Sequence, residues 1–177
     1  MLSSSRAGLA TIPYLNATVC APTAQPRPGT YALLLSSATD QLIRIGRLGD
    51  LRLQPGYYVY VGSALGPGGV RGRLAHHMRL VKRPYWHIDY LRRHTTLEAV
   101  WFCYHRKSLE HSWAKRFAAM PGASVPMAGF GSSDCGCESH LFFISGHSGA
   151  DRWSGGVSSL CESIRLADVC WVALLHE

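Results

Sequence analysis

From Gly29 onward the chain alternates short apolar runs with turn-forming residues, the pattern of a small mixed domain. Tyr31–Leu35 is one apolar run and Gln41–Ile45 a second strand candidate. Pro55-Gly56 then turns the chain into Tyr57–Val61, whose aromatic and β-branched residues favour extended backbone. Three such strands with short links predict an antiparallel meander. A loop containing Gly66, Pro67, Gly68 and Gly69 leads into a predicted helix, Val70–Leu80, and His87–Arg93 adds a further helical turn or two. Leu97–Tyr104 reads as a strand. Ser108–Met120 reads as a helix, with Leu109, Trp113 and Phe117 recurring at i, i+4, i+8, and Leu141–Ile144 as a last strand. The order β-β-β-α-α-β-α-β predicts one α+β domain over Gly29–Gly146. A loose Ser-, Ala-, Thr- and Pro-rich leader, residues 1–28, precedes it. A Ser- and Gly-rich linker and tail, residues 147–177, follows, and its apolar ending Val169–Leu175 is too short to cross a bilayer.

Composition adds a partner class. The 177 residues are 47% hydrophobic, enough for a packed core, and carry a net charge of +7, which favours an anionic partner. Arg71, Arg73, Arg79, Lys82, Arg83, Arg92 and Arg93 fall in one stretch against the single acid Asp89, with Tyr85, Trp86 and Tyr90 among them. Such a stretch can neutralise phosphates and stack on unpaired bases, or it can be a solvated helix face over core aromatics. Arg71, Arg79, Lys82 and Arg83 are the candidates for backbone phosphates. The six cysteines are irregularly spaced and do not form a disulfide framework, so a reducing, cytoplasmic setting is expected. Pro13 and polar residues interrupt any signal-peptide core near the start, and no apolar run is long enough to span a membrane.

Candidate chemistry follows from position. Tyr31 and Tyr60 lie on the first and third predicted strands, where neighbouring strands can bring both phenols to one sheet face, for catalysis or for ordinary packing. Arg73 and His77, four apart, share a helix face behind a Gly-rich loop of the kind that lets backbone approach phosphate. Cys135, Cys137 and His140 are three candidate zinc ligands within six residues. Their Cys-x-Cys spacing is tighter than usual, and a fourth ligand would have to come from Cys103, His87 or His105. The same segment can instead line a cleft through Asp134 and His140. His87 and Asp89 would share a side on a strand but not on a helix, and either a site role or a buried His–Asp hydrogen bond suits them.

The ordered set Gly29-Thr30-Tyr31, Tyr60-Val61-Gly62, Arg73 with His77, and Glu110 in a helix resembles the GIY-YIG nuclease superfamily. More closely it resembles the DUF123 subfamily, through Tyr58–Ala64, Trp86–Leu91 and Gly131–His140. The resemblance covers Gly29 to Ser145. It implies a small three-stranded antiparallel sheet flanked by helices, and metal-dependent endonuclease action on DNA with one magnesium or manganese ion, in repair or processing. Glu110 would hold the metal, Arg73 (or Arg71) would stabilise the transition state, and Tyr31 or Tyr60 would position or deprotonate the attacking water with help from His77. A non-catalytic nucleic-acid-binding module is the main alternative, and an adaptor with a degenerate nuclease fold the third.

Overall fold

The structure is a computed structural model that describes residues 24–145 and 171–174. Its centre is β1 (Gly29–Ser37), whose first seven residues are all buried. This strand pairs antiparallel with β4 (Gly56–Ser63) on one side and β5 (Thr96–Tyr104) on the other. A strand buried on both faces reads as a continuous apolar run rather than an alternation, which explains the pattern of Tyr31–Leu35. β7 (Leu141–Ile144) and β6 (Ala123–Ser124) extend the sheet beyond β4, and β8 (Trp171–Leu174) extends it beyond β5. Among the described residues the sheet therefore has six antiparallel strands in the order β6-β7-β4-β1-β5-β8, not the three expected. The rest of the expected tail lies outside the described residues.

The expected meander is also corrected. Gln41–Ile45 forms β2, but it pairs with β3 (Gly49–Leu53) in a separate hairpin, leaving β1 and β4 as direct neighbours. Ile43, Ile45, Leu51 and Leu53 on the hairpin's inner face are buried, while Leu42, Arg44 and Arg52 face solvent. A strand pair with one wet face rides on the core instead of crossing it.

Among the described residues three helices complete the domain: α1 (Gly69–Met78), α2 (His87–Leu91) and α3 (Glu110–Ala118). One sheet face carries Tyr31, Leu33, Leu35, Tyr58 and Tyr60 beneath Val70 and Leu74 of α1, Ile88 and Leu91 of α2, and the hairpin. The other carries Ala32, Leu34, Val59, Val61 and Trp101 beneath Trp113, Ala114 and Phe117 of α3. The i, i+4 pair Trp113 and Phe117 points inward as its spacing predicts, and burying each ring contributes roughly 2–3 kcal/mol.

Residues 24–28, placed in the leader by composition, are part of the packed domain. Ala24 is buried, and the carbonyls of Gln25 and Arg27 accept from the Arg71 and Val70 amides at 3.2 and 2.9 Å. Gly69 makes this approach possible: its φ is +54°, and a Cβ there would overlap the Arg27 backbone. With Gly69 and Gly72 donating to the Gly66 and Gly68 carbonyls, the first four amides of α1 are satisfied within the protein, and the start of the helix leaves no free amide row. Among the described residues no helix is long and apolar enough to cross a membrane.

Candidate active site

Tyr31 lies opposite Gly62, and Tyr60 opposite Leu33, in the β1–β4 ladder, which sets the two phenols diagonally on one face with ring centroids 6.4 Å apart. Gly62 is demanded by the neighbouring ring, since a Cβ there would overlap the Tyr31 hydroxyl and Cζ. From α1, His77 places Nε2 2.8 Å from the Tyr31 hydroxyl. Burial, with the Lys82 charge adding to it, lowers the His77 pKa from its ordinary 6.5 to about 3. Burial likewise raises both phenols well above the usual tyrosine range. At neutral pH the site is therefore built on two neutral phenols and a neutral imidazole.

That burial has a stability consequence. A histidine whose folded pKa is depressed stabilises the fold fully above its unfolded value of about 6.5, and the contribution is lost as pH falls towards 3. Comparing wild type with His77→Leu by urea unfolding should show the wild type losing roughly 3 kcal/mol more between neutrality and about pH 4.5. Equal acid sensitivity in the two proteins would refute a neutral, buried His77.

One helical turn before His77, Arg73 is half-buried, and its guanidinium stacks over Trp86 with Cζ 4.3 Å from the ring centroid. The stack fixes the donor fork before any ligand arrives. Glu110 comes from the first turn of α3. The Leu109 amide donates to Thr30 Oγ1 at 2.9 Å, which pins that turn beside Tyr31 although the rest of α3 covers the opposite sheet face. The Glu110 carboxylate also approaches His140, with Oε1 3.1 Å from Nδ1. Tyr31, Tyr60, Arg73 and Glu110 converge on one open cleft of about 400 Å³, whose lining includes Trp86, His87, Ser133 and Asp134.

The remaining candidates separate. Arg71 is exposed and outside the cleft lining, leaving Arg73 as the arginine of the site. His87 lines the cleft, where its Nδ1 accepts from the Gly131 amide at 3.1 Å. Asp89, two residues on along α2, points elsewhere and is buried, as the helical reading requires. Its carboxylate accepts from the Tyr85 and Trp86 amides at 3.0 Å each, and lies 3.1 Å from His76 Nε2, so the buried His–Asp contact is made with His76 and not His87. His140 is buried behind Glu110 and is not a lining residue.

Lys82, expected on a phosphate, is corrected. Its Nζ sits 2.6 Å from Asp89 Oδ1 and donates to the His76 carbonyl at 2.7 Å, with the side chain mostly buried. Burial alone would raise the Asp89 pKa, but Lys82 and the two amides outweigh it and hold the pKa below the ordinary value. Lys82→Ala takes the cation from that buried carboxylate, leaving it the two amides and His76, and is expected to cost about 3 kcal/mol in urea unfolding. It should leave the salt dependence of any nucleic-acid binding nearly unchanged. A stable variant with a shallower salt slope would restore Lys82 to the binding surface.

Sequence reasoning did not single out Trp86 as the arginine clamp, nor Ser133 as a cleft residue. It also missed His111, which lies with Cys135, Cys137 and His140 in a cluster whose ligand atoms are all within 4.8 Å of one another. The expected fourth partners are engaged elsewhere: Cys103 is buried in the α3-side core, His87 receives the Gly131 amide, and His105 Nδ1 receives the Lys107 amide at 3.1 Å. The only sequence signal for His111 was its place beside Glu110 at the start of a helix.

Comparison with curated proteins and with solved structures gave no significant match to this chain. The family described as domain of unknown function DUF123 matches residues 30–157, which take in every cleft residue named above, and the chain belongs to that family.

Proposed function

We propose that the cleft binds a phosphodiester of DNA and hydrolyses it, on a GIY-YIG-type version of the α+β fold. The observation that carries this reading is the meeting of Tyr31, Tyr60, Arg73 and Glu110, from four separate elements, on one open cleft. The donor set fits a magnesium or manganese ion: Glu110 and Asp134 supply carboxylate oxygens and Ser133 a hydroxyl, the hard ligands that such a cation takes alongside retained waters. When bound, the ion would offset negative charge on the phosphate and on the leaving oxygen. Arg73, held flat on Trp86, presents its donor fork to the charge that grows on the phosphoryl oxygens. Tyr31, hydrogen-bonded to His77, orients the attacking water, and Tyr60 offers a second phenol beside it.

The rival reading is a module that binds nucleic acid without cutting. Glu110 and Asp134 beside Arg73 argue against it, because a pure binder gains nothing from anions placed next to a phosphate. Cleavage assays on single-stranded, duplex, flap and abasic DNA with magnesium or manganese decide the matter. Binding with no cutting of any form would favour the module.

The exposed Arg71, Arg79 and Arg83 suit the phosphates flanking the cleft. Each charge-neutralising substitution among them is expected to weaken binding across sequences and to reduce the salt slope by about 1. Salt titrations of DNA affinity test this, and slopes equal to wild type would remove these arginines from the binding surface.

A further inference from the structure

We propose that His111, Cys135, Cys137 and His140 hold one structural zinc ion that clamps the loop carrying Asp134 to the helix carrying Glu110. Two thiolates and two imidazoles form a complete tetrahedral set, the kind that closes a structural site and leaves no position for substrate. The distances agree with this. Zinc bonds of about 2.0–2.1 Å to nitrogen and about 2.3 Å to sulfur place such ligands about 3.6 Å apart in a tetrahedron. Cys135 Sγ and His140 Nε2 are 3.5 Å apart, and all four ligand atoms lie within 4.8 Å of one another. The doubly charged cation would also neutralise both thiolates. Neither cysteine is in a disulfide.

The surroundings give the site a task. Residues 125–140 run between β6 and β7 without regular structure, a length of chain that rarely holds its shape unaided. Its internal supports are the buried Phe130, the Ser132 and Ser139 hydroxyls donating to the Glu138 and Phe130 carbonyls, and a few backbone bonds, among them Gly129 N–H to Glu138 O at 2.7 Å and His140 N–H to Phe130 O at 2.8 Å. This loop nevertheless brings Gly131, Ser133 and Asp134 to the cleft. A zinc ion bonded to Cys135 and Cys137, next along from Asp134, and to His111, next to Glu110, would set the spacing of the two cleft carboxylates. Here the Cys-x-Cys spacing is an advantage, because both sulfurs come from one bend and the histidines arrive from α3 and from the residue just before β7.

Glu110 has a second task in this arrangement. His140 directs Nε2 at the cluster and Nδ1 at Glu110 Oε1, at 3.1 Å, within ion-pair reach although off the line of an ideal hydrogen bond. A carboxylate on the far nitrogen of a ligating histidine fixes the tautomer and raises ligand basicity. Glu110 is therefore a positioning residue for zinc as well as a cleft residue. The zinc site stands whether or not the cleft cuts nucleic acid, since its test reads metal and not cleavage.

The test is the metal content of the purified full-length chain, followed by competition with a chelating dye. About one zinc per chain is expected, lost in Cys135→Ser and Cys137→Ser and retained in His111→Cys, which preserves a competent ligand set. Glu110→Gln should keep the metal but bind it roughly 10- to 100-fold more weakly, the usual cost of losing such an outer partner. Cobalt(II) added to the zinc-free wild type should give intense tetrahedral visible bands and thiolate-to-metal charge transfer, a readout that does not depend on any variant folding. Zinc far below one per chain, together with weak octahedral cobalt spectra, would overturn the site. Unchanged zinc affinity in Glu110→Gln would overturn the role given to Glu110.

Discussion

Arg73→Ala is expected to slow single-turnover DNA cleavage by roughly a hundredfold or more, the usual cost of removing a preorganised donor from developing charge. The expectation rests on the stack against Trp86, which orders the guanidinium before substrate arrives and so makes its interaction available when the transition state forms. Arg73→Lys should recover little, because a lysine offers a point charge where the planar fork makes paired hydrogen bonds and stacks. Glu110→Gln should also abolish cutting while preserving binding, or tightening it, since an anion beside the phosphate has gone. Both assays need saturating protein, magnesium or manganese, and zinc in the buffer, so that a weakened zinc site is not mistaken for lost chemistry. Cleavage at the wild-type rate in both variants would sink the assignment.

How far the sequence reached depended on the range of the forces involved. β1, β4, β5 and α3 were legible because their burial leaves a local imprint: a fully apolar run in Tyr31–Leu35, aromatic and β-branched residues in Tyr57–Val61, and an i, i+4 stripe at Trp113 and Phe117. β3 was missed because it begins with Gly49-Asp50, a glycine and an acid that read as turn, which leaves only Leu51-Arg52-Leu53 to carry the alternation. β6 has two residues, too few for a pattern to emerge, and β8 falls inside the apolar Val169–Leu175 run, which was read only as the end of a tail. The direct β1–β4 pairing followed from the hairpin standing outside the sheet, a tertiary fact with no local sign.

The site divides in the same way. Tyr31, Tyr60, Arg73 and Glu110 were found through an ordered motif, and their meeting in one cleft depends on register and on the Leu109–Thr30 hydrogen bond. Charges in the basic stretch could not be sorted from sequence. Lys82 and Arg83 are neighbours of equal sign, yet Lys82 is folded onto Asp89 while Arg83 faces water. Only the packing of α2 against α1 decides which of the two remains available to a phosphate. His111 was hidden for a related reason: its partners are far along the chain and are joined to it by an irregular loop.

Tyr31→Phe separates the catalytic value of the phenol from its structural one. Among the described residues the substitution removes the only group bonded to His77 Nε2, and His77 Nδ1 already lacks a partner there. Leaving a buried imidazole with neither nitrogen satisfied should cost about 1–3 kcal/mol in urea unfolding. If the phenol also orients the attacking water, cleavage should fall by roughly a hundredfold. Those two losses must be uncoupled, because a loosened cleft would cut slowly for an uninteresting reason. The double variant Tyr31→Phe with His77→Leu does this: replacing both polar partners by apolar groups removes the unpaired atoms, so most of the lost stability should return. Activity should not return, since the hydroxyl is still missing. His77→Leu alone completes the cycle by keeping the hydroxyl without its anchor, and a smaller loss than Tyr31→Phe is expected from it. Recovery of both stability and cleavage in the double variant would reduce Tyr31 to a packing residue and pass the attacking water to Tyr60.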